Sequence, residues 1–178
     1  KIGKINLAIE NYLKVIKKER KNWQSRFNLY IIYIKQKKYE KALPLVNEVL
    51  QIYNKYQPAL RDKALIYYYL GKPDKGIPYI EEAIELNEKD YIAINILGLI
   101  LGSIKLHEKA REVFEKAINI NPKYFASYNN LGNCLNILKK QDLALKNFEK
   151  AIELNPNFKE AINNIANIYS VTGNYKKA

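Results

Sequence analysis

Small residues recur along this chain at a fixed interval of 34 positions. The row consists of Ala8, Ala42, Gly76, Ala110, Ala144 and Ala178. A bulky residue follows each of the first five by four positions, as at Phe148, and a small or β-branched residue follows three positions later, as at Ala151. Because offsets of four and three lie on one face of an α-helix, these rows predict one amphipathic helix in every 34 residues.

A second set of rows occupies the other half of each interval. Its members are Leu29, Leu97, Leu131 and Ile165, then Tyr30, Ala64, Gly98, Gly132 and Ala166, and three positions later Tyr33, Tyr67, Leu101, Leu135 and Tyr169. Lys63 stands where the first of these rows would have a further apolar residue. Each interval therefore predicts two antiparallel helices, A and then B. The fold class that follows is an all-α solenoid of helix hairpins.

The most specific motif of the chain lies in residues 91–158. Its members are Leu97, Gly98, Ala110, Phe114, Ala117 and Pro122 in the first half, and Tyr128, Leu131, Gly132, Ala144, Phe148, Ala151 and Pro156 in the second. This motif resembles the tetratricopeptide repeat, a hairpin of 34 residues. The resemblance covers the whole chain. It implies a right-handed superhelix in which the A helices line a concave groove and the B helices lie mainly outside.

The register of the rows divides the chain into six segments. They are helix B of a truncated repeat at 1–22, full units at 23–56, 57–90, 91–124 and 125–158, and helix A with the start of helix B of a further, truncated unit at 159–178. The unit at 57–90 is degenerate, because Lys63 replaces leucine and Gly76 replaces alanine. We expect Pro78 to lie in the first turn of its helix and Lys63 to expose its ammonium beyond an apolar stem. These departures indicate either sequence drift or a hinge.

The A-helix positions that face away from the small rows predict a peptide-binding groove. The candidate residues are Asn28, Lys35, Arg61, Tyr68, Asn95, Asn129, Asn130, Asn133, Asn163, Asn164 and Asn167. Asparagine carries a donor and an acceptor on one short side chain, so it can bind both polar groups of a peptide backbone. The alternative is that asparagine is common at these positions throughout the family.

Two known uses of the family's groove can be compared with these residues. The row Asn28, Asn130 and Asn164 resembles the asparagine ladder in the repeat region of O-linked N-acetylglucosamine transferases, but Asp62 and Ile96 interrupt it. The carboxylate clamp, which binds acidic C-terminal tails of chaperones, needs a set of lysines, asparagines and an arginine that no three units supply. We therefore expect no clamp in this chain.

The net charge of +12 is concentrated in the N-terminal part of the chain, where residues 1–56 carry +9. The predicted groove holds few charges, which argues against nucleic acid in the groove, where basic residues with interleaved aromatic rings would be expected. A basic outer surface could still contact an acidic partner or an anionic membrane. The alternatives are a solvated lysine face and codon bias toward A and T.

No catalytic or metal-binding motif is present in the sequence. Cys134 is the only cysteine and His107 the only histidine. We predict Cys134 on the packed side of a helix and His107 as an exposed residue of a turn. We therefore expect no enzyme activity, no metal and no cofactor.

The sequence predicts a protein-interaction scaffold that binds a protein, an extended peptide or a partner helix in its groove. Two alternatives stay open: the substrate-adaptor region of a larger enzyme such as a glycosyltransferase, and a scaffold that self-assembles into a homo-oligomer through its exposed ends. The chain lacks methionine and begins inside a repeat, so we expect it to be part of a longer protein. Its longest apolar stretch, 91–104, is too short for a membrane span of ~20 residues, and we predict a cytoplasmic location.

Overall fold

The computed structural model describes residues 2–171, which form ten α-helices and no strand. The helices are α1 (Ile2–Lys18), α2 (Trp23–Lys35), α3 (Tyr39–Ile52), α4 (Gln57–Tyr69), α5 (Ile77–Leu86), α6 (Tyr91–Ser103), α7 (His107–Ile120), α8 (Phe125–Ile137), α9 (Gln141–Leu154) and α10 (Lys159–Val171). The chain divides into two compact units between residues 88 and 89. The predicted all-α fold of helix hairpins is therefore confirmed.

The first unit contains α1 to α5. The A helix α2 packs on the B helix α3, and the A helix α4 packs on the B helix α5. The two hairpins meet where α3 contacts α4. Its buried core consists of Tyr30, Ala42, Val46, Val49, Ala59 and Ile66. Three of these residues, Ala42, Val46 and Val49, belong to the rows that predicted the B helices, and all three are fully buried.

The second unit contains the hairpins α6–α7 and α8–α9, followed by α10. Its core holds aromatic side chains of the B helices, Phe114 and Phe148, against the A helices. A Cβ atom at Gly98 would lie 2.5 Å from the ring of Phe114, and one at Gly132 would lie 2.6 Å from the ring of Phe148. Glycine inside a helix costs about 1 kcal/mol relative to alanine, and the close approach of these rings explains why it is present.

The turn from helix A to helix B has one conformation at four places. A residue with positive φ follows the end of α2, α4, α6 and α8: Lys37 (58°), Gly71 (68°), Lys105 (66°) and Lys139 (62°). The N–H of the next residue donates to a carbonyl five positions earlier, as from Lys140 to Leu135 at 2.9 Å. This is the Schellman arrangement, in which glycine is the usual residue at positive φ. Lysine occupies the position at three of the four turns.

The degenerate unit differs most in its second helix. A 3₁₀ turn, Pro73–Gly76, precedes α5, which has only 10 residues where α3, α7 and α9 have 14 each. Pro78 lies in the first turn of α5, as predicted. The expectation for Lys63 was wrong: the residue is only 9% exposed, and its ammonium lies 3.9 Å from the ring centroid of Tyr79. A cation over an aromatic face is stabilised without full hydration.

Two further predictions concern the ends of the chain and the membrane. The start of helix B predicted after α10, with Ala178 of the first row, lies outside the described residues. The boundaries of the individual 34-residue units stay a prediction. No helix between residues 2 and 171 combines the length and the apolar character that crossing a bilayer requires.

Candidate functional site

Asparagine side chains join the A helices of the second unit in a ladder of hydrogen bonds. The Asn130 amide donates to the side-chain oxygen of Asn95 at 3.1 Å, and the Ser127 hydroxyl donates to the same oxygen at 3.0 Å. One step further along, the Asn164 amide donates to the side-chain oxygen of Asn129 at 3.0 Å. Helix α8 contacts both α6 and α10, which brings these side chains within reach of each other.

The acceptors of this ladder are buried. Asn95 is 4% exposed and Asn129 is 7% exposed, while Ser127 is fully buried. A buried polar group that lacks a partner destabilises the fold, so the ladder satisfies groups that the packing of the A helices has removed from water. Asn95 and Asn129 therefore stabilise the contact between neighbouring A helices, independently of any ligand.

A second group of predicted site residues remains accessible. Asn133, Asn163 and Asn167 are exposed, and their side chains make no hydrogen bond within residues 2–171. Asn130 and Asn164 are half-buried, and each keeps its carbonyl oxygen while its amide nitrogen takes part in the ladder. We call these five residues the amide face.

The amide face lies beside a depression of about 400 Å³. Its walls are formed by Asn136, Ile137, Lys139, Gln141, Asn167, Ile168 and Val171. Asn167 belongs to both the amide face and this depression. Ile137 is 55% exposed, so the depression offers apolar surface next to the polar amides.

The predicted site residues of the first unit have different surroundings. Asn28 and Lys35 are exposed. Arg61 forms an ion pair with Asp62 at 3.2 Å, and Tyr68 is half-buried with its ring 5.1 Å from that of Tyr69. The structure therefore places Asn28 and Lys35 in solvent, and it holds Arg61 and Tyr68 against neighbouring side chains.

A buried tyrosine and aspartate replace the amide ladder in the first unit. The Tyr30 hydroxyl donates to a carboxylate oxygen of Asp62 at 3.2 Å, joining α2 to α4. Burial, and then the charge of Asp62, raises the pKa of Tyr30 well above its usual value. Sequence reasoning missed this pair and treated Asp62 only as an interruption. The spacing was the available signal, because Tyr30 and Asp62 are 32 residues apart, as are Asn95 and Ser127.

The single cysteine and the single histidine meet in the second unit. Cys134 is 5% exposed, as predicted, and its thiol donates to the backbone oxygen of His107 at 3.0 Å. Burial raises the pKa of the Cys134 thiol, which disfavours the thiolate. His107 is the first residue of α7 and is half-buried, so its prediction as an exposed turn residue was wrong. Residues 2–171 contain no cluster of side chains able to hold a metal ion.

Family models for the tetratricopeptide repeat match residues 61–125, 125–158 and 147–178. The chain belongs to the tetratricopeptide repeat family. No curated protein sequence matches it. The resemblance stated from the motif is thus confirmed, and the repeat models cover both the degenerate unit and the amide face.

Several solved structures share this fold at low sequence identity. A tetratricopeptide repeat protein from Parabacteroides merdae has a TM-score of 0.85 with 20% identity, over 96% of this chain and 66% of that chain. YrrB, a TPR protein with an unusual peptide-binding site, has a TM-score of 0.68 with 20% identity, over 91% and 84%. Human IFIT1, solved as a dimer with m7Gppp-AAAA, has a TM-score of 0.83 with 20% identity, over 98% of this chain and 44% of that one.

The family membership establishes the coarse role of the chain. Tetratricopeptide repeat arrays are protein-interaction scaffolds, in which stacked hairpins present an extended surface to a partner. The hairpins described here provide such a scaffold.

Proposed function

We propose that this tetratricopeptide repeat chain is a non-catalytic scaffold that binds an extended peptide along the amide face of its second unit. The observation that carries the proposal is the contrast among the asparagines. Asn95 and Asn129 are buried in the ladder, whereas Asn133, Asn163 and Asn167 point exposed amides at solvent with no partner in the described chain. Each exposed amide offers a donor and an acceptor to a peptide backbone.

Buried ladder bonds also favour this proposal, because they hold the exposed amides on helices whose spacing is fixed. A preorganised surface loses less entropy when it binds a partner, and that raises affinity. The bond between Asn164 and Asn129 joins α10 to α8, and both helices also pack on α9. Asn133 and Asn167 occupy equivalent positions on these two helices, 34 residues apart.

Hydrogen bonds alone do not supply useful affinity. At about 1 kcal/mol for each net bond, five bonds give roughly 5 kcal/mol, whereas micromolar binding needs about 8.2 kcal/mol. Apolar contact must supply the difference. The depression beside Asn167 offers it through Ile137 and Val171, which are exposed. We therefore expect a peptide that places an apolar side chain in this depression and its backbone on the amides.

Lys139 is the one charged residue among those that line the depression beside the amide face, and no aromatic ring lines it, which disfavours nucleic acid as the ligand. YrrB, which shares the fold, is a protein with an unusual peptide-binding site, and this precedent is compatible with a peptide ligand here. A protein or peptide is accordingly the partner that we propose for the second unit.

The proposal is tested by selecting peptides from a displayed random library with the whole chain. The affinity of a selected peptide is then measured by fluorescence anisotropy for wild type and for Asn133→Ala with Asn167→Ala. We expect the double variant to bind at least ten times more weakly, because two amide partners and about 1.4 kcal/mol are lost.

The matched control is Asn11→Ala with Asn119→Ala, two exposed asparagines on the B helices α1 and α7. This control should leave peptide affinity unchanged. Failure to select any peptide, or equal affinity in the two double variants, would exclude the amide face as the binding surface.

A further inference from the structure

Six exposed lysines cluster where the A helices of the first unit end. Lys35 ends α2, Lys37 and Lys38 lie in the turn that follows, Lys41 lies in the first turn of α3, and Lys72 and Lys75 follow α4. The same turns contain only two carboxylates, Glu40 and Asp74, which are also exposed. None of the six lysines forms an ion pair within residues 2–171. We call this surface the lysine edge. Six lysines and two carboxylates leave the lysine edge with a net charge of +4.

An aromatic pair lies in the middle of the lysine edge. The rings of Tyr39 and Tyr69 stack with centroids 4.6 Å apart and planes at 10°, so the start of α3 meets the end of α4. Tyr69 is 49% exposed, and its ring forms a T-shaped pair with that of Tyr68, with the ring centroids 5.1 Å apart. The exposed ring of Tyr69 is thus held in place by two neighbouring rings. Lys38 and Lys41 flank Tyr39 in the sequence, and Lys72 follows Tyr69 by three residues.

One of these charges is held in a conformation that lysine rarely adopts. Lys37 has φ 58°, whereas the equivalent turn after α4 uses Gly71 at φ 68°. Both residues donate the same backbone hydrogen bond, from Lys37 to Ile34 and from Gly71 to Tyr68, so the turn itself does not require lysine. Asparagine tolerates positive φ better than lysine does and is abundant in this chain. Lysine also stands at this position after α6 and α8, as Lys105 and Lys139, so the conformation belongs to the turn and is not specific to the lysine edge.

We propose that the lysine edge binds single-stranded nucleic acid, with phosphates on the lysines and a base stacked on Tyr69. Proteins that bind single strands combine a positively charged surface with aromatic rings on which bases stack. An acidic peptide would use the lysines but not the exposed ring. An anionic membrane would favour a stripe of apolar side chains, and between Lys35 and Lys41 the chain is lysine, glutamine, glutamate and one tyrosine.

This ligand is separate from the proposed peptide. The lysine edge belongs to the first unit and the amide face to the second. The sequence argued against nucleic acid in the whole predicted groove because it holds few charges. Of the groove candidates only Lys35 belongs to the lysine edge, and the other five lysines lie outside the predicted groove positions. Either proposal can fail without the other.

The test is fluorescence anisotropy with a labelled ten-nucleotide oligouridine and the whole 178-residue chain between 50 and 200 mM salt. If all six lysines contact phosphates, the logarithm of the affinity should fall with the logarithm of salt with a slope of about −4. Lys38→Gln with Lys41→Gln and Lys72→Gln should reduce that slope by about 2. Tyr69→Ala should weaken binding by roughly 5- to 150-fold, and Tyr69→Phe should retain it.

The matched control is Lys18→Gln with Lys21→Gln and Lys55→Gln. These three exposed lysines lie at the opposite ends of the helices in the same unit, and their removal lowers the net charge equally. Circular dichroism of each variant checks that the helices remain folded. Two results would overturn the proposal. One is equal loss of binding in the two triple variants. The other is that a ten-residue polyglutamate peptide, or phosphatidylserine vesicles, bind more tightly than the oligouridine and that Tyr69→Ala leaves this binding unchanged.

Discussion

The Asn130 amide on α8 donates to the side-chain oxygen of Asn95 on α6, and that oxygen also accepts from the Ser127 hydroxyl. Two donors from one helix thus converge on a single buried acceptor of another. The relationship divides the asparagines into those that hold helices together and those that face solvent. That division leads to the first prediction.

Asn95→Ala should lower the free energy of unfolding by about 1–3 kcal/mol, because it leaves the buried Ser127 hydroxyl without its acceptor. Asn133→Ala, at an exposed position of α8, should be neutral or slightly stabilising, since alanine is the better helix former. Urea unfolding monitored by circular dichroism measures both values. Equal effects of the two substitutions would mean that the ladder does not contribute to stability.

Two glycines in α6 should respond to alanine in opposite directions. Gly98→Ala should destabilise the chain by about 1–3 kcal/mol, because its Cβ would lie 2.5 Å from the Phe114 ring. Gly102→Ala should stabilise it by up to about 1 kcal/mol, since the nearest atom, the Cβ of Ala110, would be 3.9 Å away. Thermal melts of the two variants provide the comparison. Stabilisation by Gly98→Ala would contradict the close contact.

The turns after the A helices predict a second pair of opposite effects. Lys105→Gly should stabilise the chain by about 1 kcal/mol, because it removes a side chain from a residue at φ 66°. Gly71→Ala should destabilise by a similar amount, although a Cβ there would meet no atom within 4 Å. The effect at Gly71 would then be due to backbone conformation alone. Denaturant titration should give opposite shifts of the midpoint at constant slope.

The stability of the chain should depend on Tyr30 at alkaline pH. The pKa of Tyr30 is raised in the folded state by burial and by Asp62, whereas an unfolded tyrosine ionises near a pKa of about 10. The stabilisation is therefore complete below pH ~10 and decreases as pH rises toward the folded pKa, because the unfolded state then binds fewer protons. Between pH 10 and 11 the wild type should lose about 1 kcal/mol more than Tyr30→Phe, because an unfolded tyrosine with a pKa near 10 is already half ionised at pH 10. Parallel pH profiles of unfolding free energy would contradict the buried pair.

Most of the fold could be predicted from local pattern. Ala42, Val46 and Val49 are buried where the row spacing placed them, and so are Ala110, Phe114 and Ala117. The reason is that an amphipathic helix repeats its buried positions every three or four residues, a pattern visible without the partner helix. The position of Pro78 in the first turn of α5 was also predictable, because proline lacks an N–H and is tolerated best in the first turn of a helix.

Other features depended on contacts between distant residues. The ammonium of Lys63 lies on the ring of Tyr79, which belongs to the next helix, so the sequence alone suggested an exposed charge. His107 was predicted in a turn, yet it begins α7 after the N-cap residue Leu106, which makes no side-chain capping hydrogen bond. Three of the four positive-φ positions carry lysine and not glycine, so the sequence alone does not indicate the positive φ there.

The sequence by itself determined that this chain is a tetratricopeptide array and that its A helices carry many asparagines. Both follow from the order of residue types along the chain, because helix periodicity and the 34-residue interval are properties of that order. The tertiary structure decided which asparagines are available. Asn95 and Asn129 are acceptors of the ladder, while Asn133, Asn163 and Asn167 are exposed. A hydrogen bond between neighbouring A helices needs donor and acceptor atoms about 3 Å apart. The residues that form these bonds are 35 positions apart in the sequence, so only the folded chain brings them together.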